Sequence, residues 1–168
     1  DVDMGFSFDG DADRCLAVDE KGNIMDGDHI LAAMAKSYKE KDELTNNAVV
    51  GTVMSNIGLK KYLDSIDVDF VAAKVGDRFV LEQMLEHNYI LGAEQSGHVI
   101  FLNDSTTGDG TFTALKICEL VASSINKLSY FNELMVSYPQ VLVNAKVKLE
   151  NRNAYSQDKE IVAEINKI

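Results

Sequence analysis

Apolar positions along this 168-residue chain switch repeatedly between short continuous runs and helical spacing. MGFSFD and RCLAVD, at 4–9 and 14–19, predict short strands on either side of a polar loop. HILAAMAKSYKEK places Ile30, Leu31, Met34 and Tyr38 near helical spacing behind Asp28, a cap candidate. AVVGTV at 48–53 suits a buried strand, and SNIGLKKYLDSI predicts a helix with Ile57, Tyr62 and Ile66 on its apolar side and Ser55 or Asn56 as cap. DFVAAK predicts another strand, and GDRFVLEQMLEHN a third helix with Phe79, Val80, Met84 and Leu85 facing inward. NYILGAE and HVIFL bracket a glycine turn as a strand pair, and TGDGTFTALKICELVASSI reads as a long helix. This alternation argues an α/β fold, a layered and mostly parallel sheet with helices on both faces.

The pattern changes towards the end. Ser129 is placed to cap a short helix, YFNELMV, and Pro139, the only proline, marks a break before VLVNAKVKL, whose alternation predicts a strand. AYSQDKEIVAEINKI predicts an amphipathic helix. Boundaries are therefore expected near 134–140 and at the polar turn 19–23.

Composition narrows the function classes. With 46% hydrophobic residues the chain can bury one good core. Its 16 basic and 27 acidic residues give a formal charge of -11, which argues against unaided binding to nucleic acid or anionic membranes. No eighteen-residue apolar run or signal-like segment occurs. Cys15 and Cys118 have neither CxxC spacing nor histidine partners, so a zinc site or disulfide framework is not expected and a reducing cytoplasm fits. The start at Asp1, without Met and immediately before a strand, suggests a piece of a longer protein.

The chemistry concentrates in DGDADR at 9–14. Asp9, Asp11 and Asp13 offer only oxygen ligands on alternate residues, a set suited to Mg²⁺ or Ca²⁺ rather than Zn²⁺. Arg14 beside them points to an anion. An EF-hand would also begin with alternate Asp and would place Glu20 at its twelfth position, but needs Gly where Arg14 stands and helices where strands are predicted. A haloacid-dehalogenase type of loop would continue to a Thr that is absent, and a bare acidic turn stays open. AEQSGH at 93–98 groups Glu94, Gln95, Ser96 and His98 about a turn, which suits either sugar hydroxyls or a solvated hairpin. KVGDR at 74–78 sets Lys74 and Arg78 at a helix start, a place for an anion or only for a cap by Asp77. TVMSN at 52–56 and STTGDG at 105–110 are weaker candidates, as loops or simple turns. His98, unlike His29 and His87, shares a loop with Glu94 and Ser96 and could exchange a proton with a substrate hydroxyl.

DGDADR, TVMSN, KVGDR, EQSGH and TTGDG, in this order, resemble the central part of the α-D-phosphohexomutases, over about residues 3 to 135. DGDADR with Ala at its fourth position, and TVMSN, favour the bacterial phosphoglucosamine mutase branch over phosphomannomutase or phosphoglucomutase; Ala93 departs from the Gly common there. The resemblance implies the end of a second domain in 1–20, a third domain in 21–134, and a linker with the start of a fourth in 135–168. It implies an isomerase acting on a phosphorylated amino sugar for peptidoglycan precursor synthesis, through a phosphoserine and a bisphosphate. Asp9, Asp11 and Asp13 would hold Mg²⁺ and Arg14 would stabilise the transferring group. Glu94 and Ser96 would grip the sugar, Lys74 and Asp77 would belong to the sugar-selecting loop, and His98 would transfer or orient a proton. No Ser-His-Asn-Pro string occurs, so these residues are expected to be inactive alone, and apolar surface left bare by missing domains could favour a homodimer. A metal-dependent sugar-binding module without catalysis is the non-enzyme alternative.

Overall fold

The computed structural model describes residues 2–143, 146–149 and 154–167. One compact unit ends at Tyr138 and a second begins at Pro139. In the first, β1 (Met4–Phe8) and β2 (Cys15–Asp19) pair antiparallel, with Phe8 opposite Cys15, so the acidic hexapeptide closes a hairpin. The polar turn at 19–23 lies inside this first unit. It closes a second hairpin, to β3 (Ile24–Met25), and Ala17 and Met25 on its two arms are buried in the main core.

A second sheet runs β5 (Asp69–Ala73), β4 (Ala48–Thr52), β6 (Leu91–Ala93) and β7 (Val99–Phe101). Its first three strands are parallel and β7 returns antiparallel from β6. Every residue of β4 is buried, as expected for a central strand covered on both faces. Neighbouring residues on it point to opposite sides. Val49 joins the core formed by α1 (Gly27–Glu40), α2 (Ile57–Ser65) and α4 (Gly110–Ala122), whereas Val50 packs with Val80 and Met84 of α3 (Asp77–His87). Helices thus cover both faces, with each buried Val or Leu contributing about 1.5–3 kcal/mol.

Helix starts and faces differ from the sequence expectation in four places. Asp26, not Asp28, caps α1, accepting the His29 N–H at 3.1 Å, while Asp28 turns inward and is fully buried. On α2 the buried pair is Leu59 and Leu63, spaced by four, and Ile57 is exposed. On α3 Val80 and Met84 are buried and Leu85 faces out, because that i, i+4 pair already fills the sheet face. Ser129 lies inside α5 (Leu128–Asn132) rather than capping it, and gives its N–H and O–H to the Glu20 carboxylate.

The second unit holds a short 3-10 turn, Ala154–Gln157, and α6 (Lys159–Ile165), capped by Asp158. The helix expected over 154–168 is therefore shorter, and residue 168 lies outside the described residues. The strand expected over 141–149 does not form at 141–143 or 146–148, which are exposed and pair with no strand among the described residues. Residues 144–145 of that segment also lie outside the described residues. Among the described residues no helix is long and apolar enough to cross a membrane.

Candidate active site

The hairpin between β1 and β2 gathers its three carboxylates. Ala12 takes a left-handed φ of 59°, and one ligand oxygen from each of Asp9, Asp11 and Asp13 falls within 4.8 Å of the others. Arg14 Nε lies 2.7 Å from Asp9 Oδ2 and 3.7 Å from Asp13 Oδ1, and its N–H donates to Asp9 Oδ1. Burial pushes the Asp9 carboxyl up, but the Arg14 N–H, Asp13 and the Arg14 charge outweigh it and hold the group below its ordinary value. Asp9 Oδ2, although beside the Arg14 guanidinium, and Asp13 Oδ1 are buried and accept no well-aligned hydrogen bond. Two buried oxygens short of a well-aligned hydrogen bond, in an all-oxygen cluster, fit a hard divalent cation, which would satisfy both.

The rest of the fold packs this loop from two sides. Cys15 N–H donates to Gly97 C=O at 3.0 Å, and Arg14 and His98 form an isolated bridge between the two sheets. Gly97 has a φ of 94°, and a Cβ there would collide with Cys15 C=O, so only glycine allows this approach. His98, 4% exposed, has both ring nitrogens engaged: Nε2 accepts the Gly108 N–H at 3.1 Å, which leaves the proton on Nδ1, 2.9 Å from Asp13 Oδ2. Gly110 N–H, at the start of α4, donates to Ala12 C=O. The STTGDG segment thereby belongs to the site's frame.

Glu94 faces a different loop. Its Oε1 accepts the Gly76 N–H at 2.9 Å, which joins the 93–98 turn to 74–78. Ser96 is exposed at the tip of the turn. Lys74 and Asp77 are exposed on their own segment, Lys74 with its ammonium 5.6 Å from the Phe79 ring centroid and Asp77 accepting the Arg78 N–H. Asp77 does not cap α3; Gly76 occupies that position. The fold therefore links Asp9, Asp11, Asp13, Arg14 and His98 directly, ties Glu94 to the 74–78 backbone, and leaves Ser96, Lys74 and Asp77 outward.

Sequence reasoning missed two residues beneath these loops. Asp28 accepts the Asn56 N–H at 2.7 Å and so holds the 52–56 loop. Burial, with the Asp26 charge added, pushes its carboxyl up to about 6, against the lowering effect of that N–H. Nothing local distinguishes Asp28 from a helix cap; only the docking of α1 buries it. Asp26 in turn contacts His29 and Gln95.

The fold and this site define a class. The family model described as phosphoglucomutase/phosphomannomutase, alpha/beta/alpha domain III, matches residues 26–138, and the chain belongs to that family. Within it, the chain is similar to phosphoglucosamine mutases. It is 57% identical over 159 residues to that of Finegoldia magna, covering 95% of this chain and 35% of the relative. It is 55% identical over 167 residues to that of Thermoanaerobacter sp., covering 99% and 37%. It thus spans a little over a third of the length of these relatives. Among solved structures, a phosphoglucomutase/phosphomannomutase family protein from Burkholderia thailandensis superposes with a TM-score of 0.70 at 25% identity, over 84% of this chain and 30% of that one. The Aspergillus fumigatus N-acetylphosphoglucosamine mutase, solved with GlcNAc-6P and magnesium, shares the fold with a TM-score of 0.71 at 18% identity, over 86% and 38%.

Proposed function

We propose that this chain carries the metal loop and the sugar-facing loops of a phosphoglucosamine mutase, which interconverts glucosamine 6-phosphate and glucosamine 1-phosphate through a phosphoserine and a bisphosphate. The observation that carries the reading is the cluster of three carboxylates, two of whose buried oxygens accept no well-aligned hydrogen bond, packed against the turn that bears Glu94 and Ser96. The identity to phosphoglucosamine mutases supports the choice within the family.

In this reading Asp9, Asp11 and Asp13 hold Mg²⁺, which supplies charge neutralisation for the phosphoryl group in transfer. Arg14, half exposed beside the cluster, offers guanidinium N–H groups to the phosphoryl oxygens. Glu94 and Ser96 accept from and donate to sugar hydroxyls, and Lys74 and Asp77 read the sugar from the 74–78 loop. His98 serves orientation rather than proton transfer: with Nε2 accepting from Gly108 and Nδ1 donating to Asp13, it fixes a metal-ligand carboxylate. Residues 1–20 would close a second domain, 21–134 form the third, and 135–168 lead into the fourth. The phosphoserine donor falls to a region of the protein outside these 168 residues, so the chain alone should not turn over. A cytoplasmic enzyme of peptidoglycan precursor synthesis is the corresponding setting.

The test is mutase turnover with Mg²⁺ by the complete protein and by its Asp11→Ala variant, on glucosamine, mannose and glucose phosphates. Turnover of the glucosamine phosphates, lost in the variant, is expected. Preference for mannose or glucose phosphates moves the assignment to a sister enzyme, and no turnover on any of them leaves a sugar-binding module.

A further inference from the structure

Residues 136–138, the last of the first unit, lie in no helix or strand and are exposed, yet each is held. Tyr138 N–H donates to Asn56 Oδ1 at 3.0 Å, and Tyr138 C=O accepts from Asn56 Nδ2 at 2.8 Å. This two-bond grip does with a side chain what a neighbouring strand would do with its backbone. The Lys61 ammonium sits 4.1 Å from the Tyr138 ring centroid. Ser137 Oγ lies 3.3 Å from His29 Nε2, whose Nδ1 is 2.6 Å from Asp26 Oδ1. Gly58 leaves no room for a Cβ beside the Val136 carbonyl.

All of these holding groups sit on α1, α2 or their caps. Asn56 is 6% exposed and makes two more bonds: Oδ1 also caps α2 through the Gly58 N–H, and its own N–H donates to the buried Asp28 carboxylate. Asp28 stands two residues from Asp26, and Gly27 between them donates to Gln95 C=O at 3.0 Å. The 52–56 loop, the 93–98 turn and the 136–138 segment therefore converge on one helix start.

We infer that Asn56 is a positioning residue that ties the 52–56 loop, which shares the start of α1 with the 93–98 turn of the candidate sugar site, to the segment 136–138, so that occupancy of the site and the path of the chain out of the unit are coupled. The coupling, but not the grip itself, rests on the sugar-site reading above. The bonds of one side chain are shared between the two ends, and coupling of this kind is reciprocal.

Amide exchange of the 168-residue chain, read residue by residue by NMR, tests the grip. Asn56→Ala should speed exchange of the Tyr138 amide about tenfold. Asn56→Asp keeps the oxygen that receives the Tyr138 and Gly58 N–H groups but loses the donor to Tyr138 C=O, so it should restore slow exchange at Gly58 and restore it only in part at Tyr138. An unchanged Tyr138 amide in Asn56→Ala, or equal acceleration in both variants, overturns the grip. Glucosamine 6-phosphate with Mg²⁺ tests the coupling. It should slow the Gly76 amide in wild type and in Asn56→Ala, and the Tyr138 amide in wild type only. Slowing at Gly76 with Tyr138 unmoved in wild type overturns the coupling while sparing the sugar site; no change at Gly76 removes the sugar site and the coupling with it.

Discussion

The acidic loop at 9–14 and the loop at 74–78 are both short, polar and charged, yet the fold treats them oppositely. The first is fastened by three bonds from two segments, Gly97 on Cys15 and His98 on Asp13 from one turn and Gly110 on Ala12 from another. The second is fixed by its backbone, through the Gly76 N–H on Glu94, and leaves Lys74, Asp77 and Arg78 in solvent. A cation site gains from ligands fixed to within a fraction of an ångström, because three carboxylates held together without preorganisation would spread apart. A loop that selects among hydroxylated ligands can keep its side chains free and order them on contact. The difference teaches that frame and reader are built separately, with Glu94 on the seam between them.

Metal binding gives the sharpest way to break this contrast. Asp11→Ala should abolish Mg²⁺ binding to this chain, measured by calorimetry, while Asp77→Ala should leave the affinity unchanged; equal losses would erase the distinction. Backbone substitutions come next. Gly97→Ala combines a φ of 94° with a collision against Cys15 C=O and should cost about 3 kcal/mol in denaturant unfolding. Gly76→Ala, with a φ of 126° but only the flexible Phe79 ring nearby, should cost about 1–2 kcal/mol.

Removing His98 should weaken Mg²⁺ about 10–100-fold, since Asp13 loses its partner. His98→Asn can donate from nearly the Nδ1 position and should recover some of that affinity, which a proton-transfer role would not predict. A further effect concerns pH. The Asp28 carboxyl lies above its unfolded value, at about 6, so between about pH 4 and 6 the folded state binds more protons and stability falls as pH rises. The loss should reach on the order of 2 kcal/mol and should flatten in Asp28→Asn, followed by chemical denaturation across that range.

Local pattern alone placed most of the elements, because period two and period 3.6 are properties of neighbouring residues. The acidic cluster was legible for the same reason: alternate carboxylates on one turn need no distant partner to be seen. Helix faces were less so. Ile57 and Leu85 are as apolar as Leu59 and Met84, and only the sheet beneath decides which pair is covered. The strand expected at 141–149 shows the converse, since alternation cannot become a ladder where no described strand offers donors and acceptors.

Sequence by itself therefore determined the class of fold, the oxygen-only donor set and the resemblance that links five loops. Only the tertiary structure decided that His98 turns its protonated nitrogen to Asp13, 85 residues away, that Glu94 holds Gly76, and that Asp28 is buried beneath Asn56. The physical reason is that hydrogen-bond direction and burial belong to pairs of distant groups. A residue's type states what it can donate or accept, and the packed chain states to whom.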